Sequence, residues 1–445
     1  MLDAMDSGCN RVSETMQWSG PAKFFGWRVV AGAFVLAIFG WGIGFYGPPV
    51  FLHSVVARTG WSVALVSSAV TFHFLAGAVL VANLPRLYGR IGLPLTTSLG
   101  AVALALGILG WAEAAAPWQL FLAAFVSGIG WATMGAAAVN AIVATWFVRT
   151  RPAALMMAYN GASVGGIVFS PLWVALIARL GFPEAAILVG LVMLAVIWLF
   201  SALLFAPTPE GLGQKPDGDG LGKATASPAP TPLEPLPGKA LWRDRRFLTL
   251  AAGMALGLFA QIGLIAHLFS LLVPALGAEA AGLAMGMATA FAIAGRSLVG
   301  WLMPIDADRR LVASASYAVQ ILGSLVLIMA AGTSIPLLLL GVALFGAGIG
   351  NATSLPPLIA QVEFAREDVQ RVVSQIVALS QASYAFAPAV FGAIRVLAPA
   401  ANGAPEPALW FFVAAALIQA AALACFLAGR SKPGSSGLGS GLLCL

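Results

Sequence analysis

The sequence predicts an all-α membrane protein in which twelve transmembrane helices form two six-helix pseudo-repeats. Of 445 residues, 60% are hydrophobic and 9% charged, far from the roughly 25% charge of soluble domains. About twelve apolar runs of ~20–25 residues are each long enough to cross a hydrocarbon layer about 30 Å thick. One central stretch, 207–246, turns to Pro, Gly and charge and separates two sets of six runs.

Residues 1–23 are polar and carry Asp3, Asp6 and Glu14. They are expected as a cytoplasmic tail, because a cleaved signal peptide begins with basic and then apolar sequence. The N-terminal half, 24–206, holds crossings near 27–51, 61–84, 94–115, 118–147, 152–178 and 184–206. The linker has prolines at 207, 209, 216, 228, 230, 232, 235 and 237, a composition that builds no packed core. The C-terminal half, 247–429, holds crossings near 247–273, 279–304, 311–331, 336–360, 372–397 and 408–429, and 430–445 is a second cytoplasmic tail. With the N-terminus inside, 19 of the 23 Lys and Arg fall in tails, linker and inner loops; Arg58, Arg179 and Arg395 fall outside, and Arg296 lies in a helix. The net charge of +6 then reflects positive-inside topology and not nucleic-acid binding. The expected location is the inner membrane, multi-pass, with both termini cytoplasmic.

The two halves read as repeats. Gly128-Ile129-Gly130-Trp131-Ala132-Thr133 and Gly348-Ile349-Gly350-Asn351-Ala352-Thr353 share a GIGxAT pattern at an offset of 220, followed by Pro171 and Pro388. Other patterns mislead. Gly42-x-Gly44-x-x-Gly47 spells a dinucleotide fingerprint but lies in an apolar crossing with no strand before it. Gly161-x-Ser163-x-Gly165 spells a nucleophile elbow but opens a membrane helix. Gly161/Gly165, Gly40/Gly44, Gly282/Gly286 and Gly346/Gly350 suit close helix packing by small residues. Cys9, Cys425 and Cys444 make no disulfide framework, and three dispersed histidines make no metal cluster. No metal, no cofactor and no enzymatic activity are expected.

Several segments resemble the major facilitator superfamily, specifically its monocarboxylate-porter branch and the related oxalate/formate exchangers. Phe25-Gly26-Trp27-Arg28-Val29-Val30 resembles the start of that branch's first helix. Trp146-Phe147-Val148-Arg149-Thr150-Arg151-Pro152, continuing through Gly161, Ser163 and Gly165, is similar to its helix 4–5 signature. Gly295-Arg296-Ser297-Leu298-Val299-Gly300, with Asp306, Asp308, Arg309 and Arg310, is similar to the superfamily's helix 8–9 loop motif. The resemblance implies the major facilitator fold and a secondary transporter of a small, monocarboxylate-like organic anion whose helix 8 Arg binds the substrate. Three positions depart from the pattern. Arg86 stands where the helix 2–3 loop has Asp, Pro49 where the branch has a first-helix Lys, and Ala292 where an Asp precedes the helix 8 Arg by four residues. The family's proton relay does not carry over.

Arg296 is also singled out physically. A guanidinium at membrane depth costs ~2.5–3.5 kcal/mol on insertion scales, so it normally faces a protein interior or a wet cavity and has a partner. No acidic residue of the sequence lies mid-helix. A substrate carboxylate, gripped by a bidentate pair, would supply the missing charge. The competing reading pairs Arg296 with Asp306 or Asp308, or lets it snorkel to the headgroups. Further substrate-binding candidates, polar residues on crossings expected to line a cavity, are Asn140, Asn160, Gln261, His267, Asn351, Gln381 and Tyr384. His73 and His267 are the proton-coupling candidates, since imidazole titrates near neutrality. Arg86, Arg90, Asp306 and Arg309 would gate the inner face through charge pairs. The expected partners are a small-molecule substrate, a co-transported ion and the lipid bilayer, with the chain acting as a monomer. Alternatives are a bulkier neutral or aromatic cargo, such as a flavin-type vitamin or an exported drug, and a non-transporting receptor or assembly protein.

Overall fold

The computed structural model describes residues 24–217, 236, 239–304, 307–397 and 409–430. In hydrocarbon the backbone must satisfy its own N–H and C=O groups, and a helix does so within one segment. The N-terminal half comprises α1 (Gly26–Thr59), α2 (Val63–Ile91), α3 (Leu93–Glu113), α4 (Pro117–Trp146), α5 (Arg151–Leu180) and α6 (Phe182–Phe205). In the C-terminal half a 58-residue helical stretch, Arg245–Leu302, contains Gly277 at φ +75°. An L side chain rarely adopts this left-handed conformation, and the glycine divides the stretch into α7 (245–276) and α8 (278–302). There follow α9 (Arg309–Met329), α10 (Ile335–Ile349, then Leu355–Glu363), α11 (Arg366–Tyr384, then Ala387–Leu397) and α12 (Leu409–Ala428). Twelve passes result among the described residues. Because the number is even, residues 26 and 428 lie at one face, called here the terminal face, and the described ends of the linker lie there too.

The expected spans differ from the structure mainly where helices are interrupted. The helix of α1 breaks at Phe45–Tyr46, α4 at Gly135, α10 across 350–354 and α11 at 385–386. Pro48 and Pro49 restart α1, and Pro356 and Pro357 restart α10. Proline lacks the N–H that would continue the ladder, which is why these crossings are not single straight rods.

Glycine brings the rods together. A Cβ at Gly161 or Gly165 would lie 2.0 Å from the Phe34 oxygen or 2.5 Å from the Ile38 oxygen, so α5 packs backbone-to-backbone on α1. Gly40 meets α4 at the Met134 carbonyl, and Gly282 and Gly286 seat α8 against Pro171 and Ile167 of α5. The same contacts correct the repeat register. Gly128 abuts the His73 carbonyl of α2, and Gly130 abuts Leu104 of α3. In the other half Gly346 abuts the Ala288 carbonyl of α8, and Gly348 abuts Ser316 and Gln320 of α9. Gly128 and Gly130 therefore correspond to Gly346 and Gly348, an offset of about 218. The GIGxAT strings at 220 are two residues out of step. The prolines, 217 apart, agree with the contacts.

The terminal face of the C-terminal half is tied by charge. Arg310 is 1% exposed and bonds Glu363 at 2.6 Å, while its other nitrogens reach Thr249 Oγ1 and the Arg246 carbonyl. Asp308 caps α9 and bonds Arg430 at 2.5 Å. The linker's ends are anchored. Asp217 accepts hydrogen bonds from the backbone N–H groups of Val148, Arg149 and Thr150 and from the Thr150 hydroxyl. Slight burial pushes its carboxyl up, but these bonds outweigh that and hold it at about 2. On the other side Leu236 bonds Asp368 and Arg371 of α11.

Candidate functional site

The halves meet at mid-depth and toward the face opposite the termini. Where α1 breaks, Tyr46 projects across the seam and, with Thr289 of α8, closes over Gly166 of α5. About two turns further along α8 stands Arg296, half-buried and near enough to Tyr46 to act on it electrostatically. Where α10 breaks, the Gly350 carbonyl accepts Arg296 Nε at 2.8 Å and the Ser354 hydroxyl at 3.4 Å. Among the described residues no carboxylate lies within 4.0 Å of Arg296. Asp308, one of its two alternative partners, belongs to Arg430; Asp306, the other, lies outside the described residues. The guanidinium thus stands at the junction of both halves with a neutral backbone oxygen as its hydrogen-bond partner.

Aromatic rings line the same level. Trp41 meets Trp131 and Tyr159 at 5.0 and 6.0 Å between centroids, Phe45 meets Tyr46, Phe74 and Trp131, and Phe74 meets Tyr384 of the other half at 6.2 Å. Gln381 stands three residues before Tyr384, one turn along α11. These two candidates therefore lie on the seam with the aromatic set.

The other expected site residues are dispersed. Asn140 bonds the Tyr159 hydroxyl and the Ala136 carbonyl within the N-terminal half. Asn160 is exposed near the terminal end of α5. Gln261 is buried in α7, and its Oε1 has no partner among the described residues. Asn351 is buried between α9 and α10 and bonds Ser316 at 3.2 Å. His73 is buried with both ring nitrogens engaged, Nδ1 with Ser127 at 2.8 Å and Nε2 with the Gly44 carbonyl at 3.0 Å. His267 is fully buried in α7 and bonds the Pro388 carbonyl and Arg395.

The gating candidates divide similarly. Arg86 and Arg90 are exposed, with Arg86 bonded to Asn83. Arg309 donates to the Leu358 carbonyl at 2.7 Å.

Two residues escaped the sequence reading. Tyr46 carries no charge, and only the break in α1 turns it toward α8. Arg395, expected on the outer side, lies near the end of α11 opposite the termini but is half-buried, and its Nη1 reaches Ser270 at 2.7 Å and His267 at 3.3 Å. A signal existed: Arg395 follows Pro388 and Phe391 at helical spacing, on a face whose other members are buried.

The comparisons with known proteins agree with this architecture. The family model of the Major Facilitator Superfamily matches residues 29–388. The chain is 27% identical over 250 residues to MFS-type transporter 1 of Ophiocordyceps sp. (strain BCC 1869). That match covers 54% of this chain, and the chain spans about half, 51%, of the relative's length. Among solved structures the nucleoside transporter NupG superposes with a TM-score of 0.67 at 13% identity, covering 91% of this chain and 98% of that one. A bacterial homologue of the human lysosomal transporter Spinster, inward-facing and occupied, gives 0.65 at 14% identity, covering 93% and 100%. At these identities the structures share the fold.

Proposed function

The chain belongs to the Major Facilitator Superfamily and is a membrane transporter, and from that premise we propose that it moves a small organic anion, monocarboxylate-like, by alternating access between its two halves. One observation carries the reading: Arg296 sits where both halves meet, bonded to the Gly350 carbonyl and with no carboxylate within 4.0 Å among the described residues. A guanidinium in a low-dielectric interior attracts an anion strongly, and a carboxylate matches its planar fork. Tyr46 and Thr289 would complete the pocket from either side of the seam, with Gln381 and Tyr384 reading the rest of the cargo. Rocking of the halves about this seam would expose Arg296 to each side in turn. Gradient-driven transport needs no nucleotide, and the positive-inside distribution of Lys and Arg supports cytoplasmic termini in an inner membrane.

A second reading is favoured by the aromatic set Trp41, Trp131, Phe45, Phe74 and Tyr384, which suits a cargo with a flat ring, such as a flavin or an aromatic acid. Uptake into proteoliposomes decides between them. Labelled mono- and dicarboxylates are offered beside a flavin and an aromatic acid, with Arg296→Ala and Arg296→Lys as variants. Carboxylate uptake that falls in both variants supports the anion reading. Carboxylate uptake that neither variant changes removes Arg296 from the site, and uptake of the flavin alone establishes the second reading.

A further inference from the structure

Arg395 is a second inward-turned guanidinium, one layer nearer the face opposite the termini. It sits near the end of α11 beside the outer parts of α7 and α1. Hydrogen-bond logic fixes the roles around it. The Pro388 carbonyl can only accept, so His267 Nε2, at 3.0 Å, carries the ring proton and donates it. His267 Nδ1 is then a bare acceptor and takes Arg395 Nη1 at 3.3 Å. Ser270 donates its hydroxyl proton to the His267 carbonyl at 2.8 Å and accepts Arg395 Nη1 at 2.7 Å. Both groups that orient the guanidinium are neutral, and no carboxylate among the described residues lies within 4.0 Å of it. The geometry positions the charge without cancelling it.

The place is the closure between the halves. His53 of α1 packs edge-on against Phe269 of α7 at 5.2 Å, and it lies within electrostatic reach of Arg395. Close by, the Ala389 N–H of α11 donates to Thr71 of α2 at 3.1 Å, and Gly392 abuts Ser67. An imidazole from one half and a guanidinium from the other therefore flank one point of the seam.

We infer that Arg395 and His53 form an outer binding site for a small carboxylate, distinct from the central position at Arg296, with His267 and Ser270 as positioning residues. This rests on the anion reading above. The cargo then has two stations, an outer one that it meets when this face opens and a central one at Arg296. An anion bridging His53 and Arg395 would also fasten the closed face.

The test is equilibrium binding of radiolabelled lactate, pyruvate and benzoate, each separately, to the purified full chain in nanodiscs, with Arg395→Gln, Arg395→Lys, Arg296→Gln and the double variant Arg296→Gln/Arg395→Gln. The expected result is two carboxylates per chain in the unmodified protein, one in either single Gln variant and none in the double. Arg395→Lys keeps the outer site at reduced affinity, because an ammonium lacks the fork. One carboxylate per chain, lost in Arg296→Gln and unchanged in Arg395→Gln, overturns the outer site alone. Absence of carboxylate binding overturns both readings. Melting temperatures of all variants, with Glu406→Gln as a control, report folding. Equal and non-additive losses of stability in Arg395→Gln and Glu406→Gln would assign Arg395 to an ion pair and overturn the proposal.

Discussion

A single atom pair, Arg296 Nε and the Gly350 oxygen at 2.8 Å, aims the guanidinium on which the proposed anion site rests. Arg296→Lys keeps the charge but replaces a rigid fork with a flexible ammonium. Hydrogen bonds to charged groups contribute about 1.5–3 kcal/mol, so carboxylate KM should rise by roughly tenfold or more. Proteoliposome uptake across a concentration series measures this, and an unchanged KM contradicts the assigned role. Arg296 was legible in the sequence because no other charge interrupts its crossing. Arg395 was legible only through its spacing from Pro388 and Phe391, since an arginine at the end of a crossing ordinarily reaches for headgroups. Its partners His267 and Ser270 stand more than 120 positions away, and nothing local announces them.

Helices in this molecule are positioned by what they lack. A Cβ at Gly161 would lie 2.0 Å from the Phe34 oxygen, whereas one at Gly89 would have nothing within 4 Å. Gly161→Leu should therefore separate α1 from α5 and lower the melting temperature, at a cost of about 1–3 kcal/mol or more. Gly89→Leu should leave that temperature within a degree or two. Similar losses in both would show that α1 and α5 do not depend on this contact. Small-residue pairs were readable because their spacing of four places both on one helix face. The register of the repeat was not, because a Gly-rich helix offers several matching strings and only the neighbour across each glycine distinguishes them. Helix interruptions were partly readable. Pro48, Pro49, Pro356, Pro357 and Pro388 mark three, but no proline marks Gly135 in α4.

Across the whole molecule, charges at the terminal face hold the C-terminal half together and anchor the linker to both halves. Removing one member of the buried pair Arg310–Glu363 leaves an uncompensated charge, which typically costs about 3–5 kcal/mol. Arg310→Ala should accordingly give a large loss of thermal stability, measured by scanning fluorimetry in detergent. The Asp217 anchor has a defined pH dependence. Its carboxyl is held at about 2, below the ordinary ~3.9, so its contribution is complete above about pH 4 and lost as pH falls toward 2. Hydrogen exchange at Val148, Arg149 and Thr150, corrected for intrinsic rates, should therefore be flat from pH 5 to 8. It should speed up in Asp217→Ala, and equal protection in that variant would refute the anchor. The linker's composition announced its lack of a core but not these anchors, which are carboxylate-to-backbone bonds that composition does not encode. The bend at Gly277 has a mechanical consequence. A lone residue joins two rods with no slack between them, so one cannot slide without dragging the other, and an epitope tag inserted there would wreck the corner that a tag at Trp61, in the first hairpin, would spare.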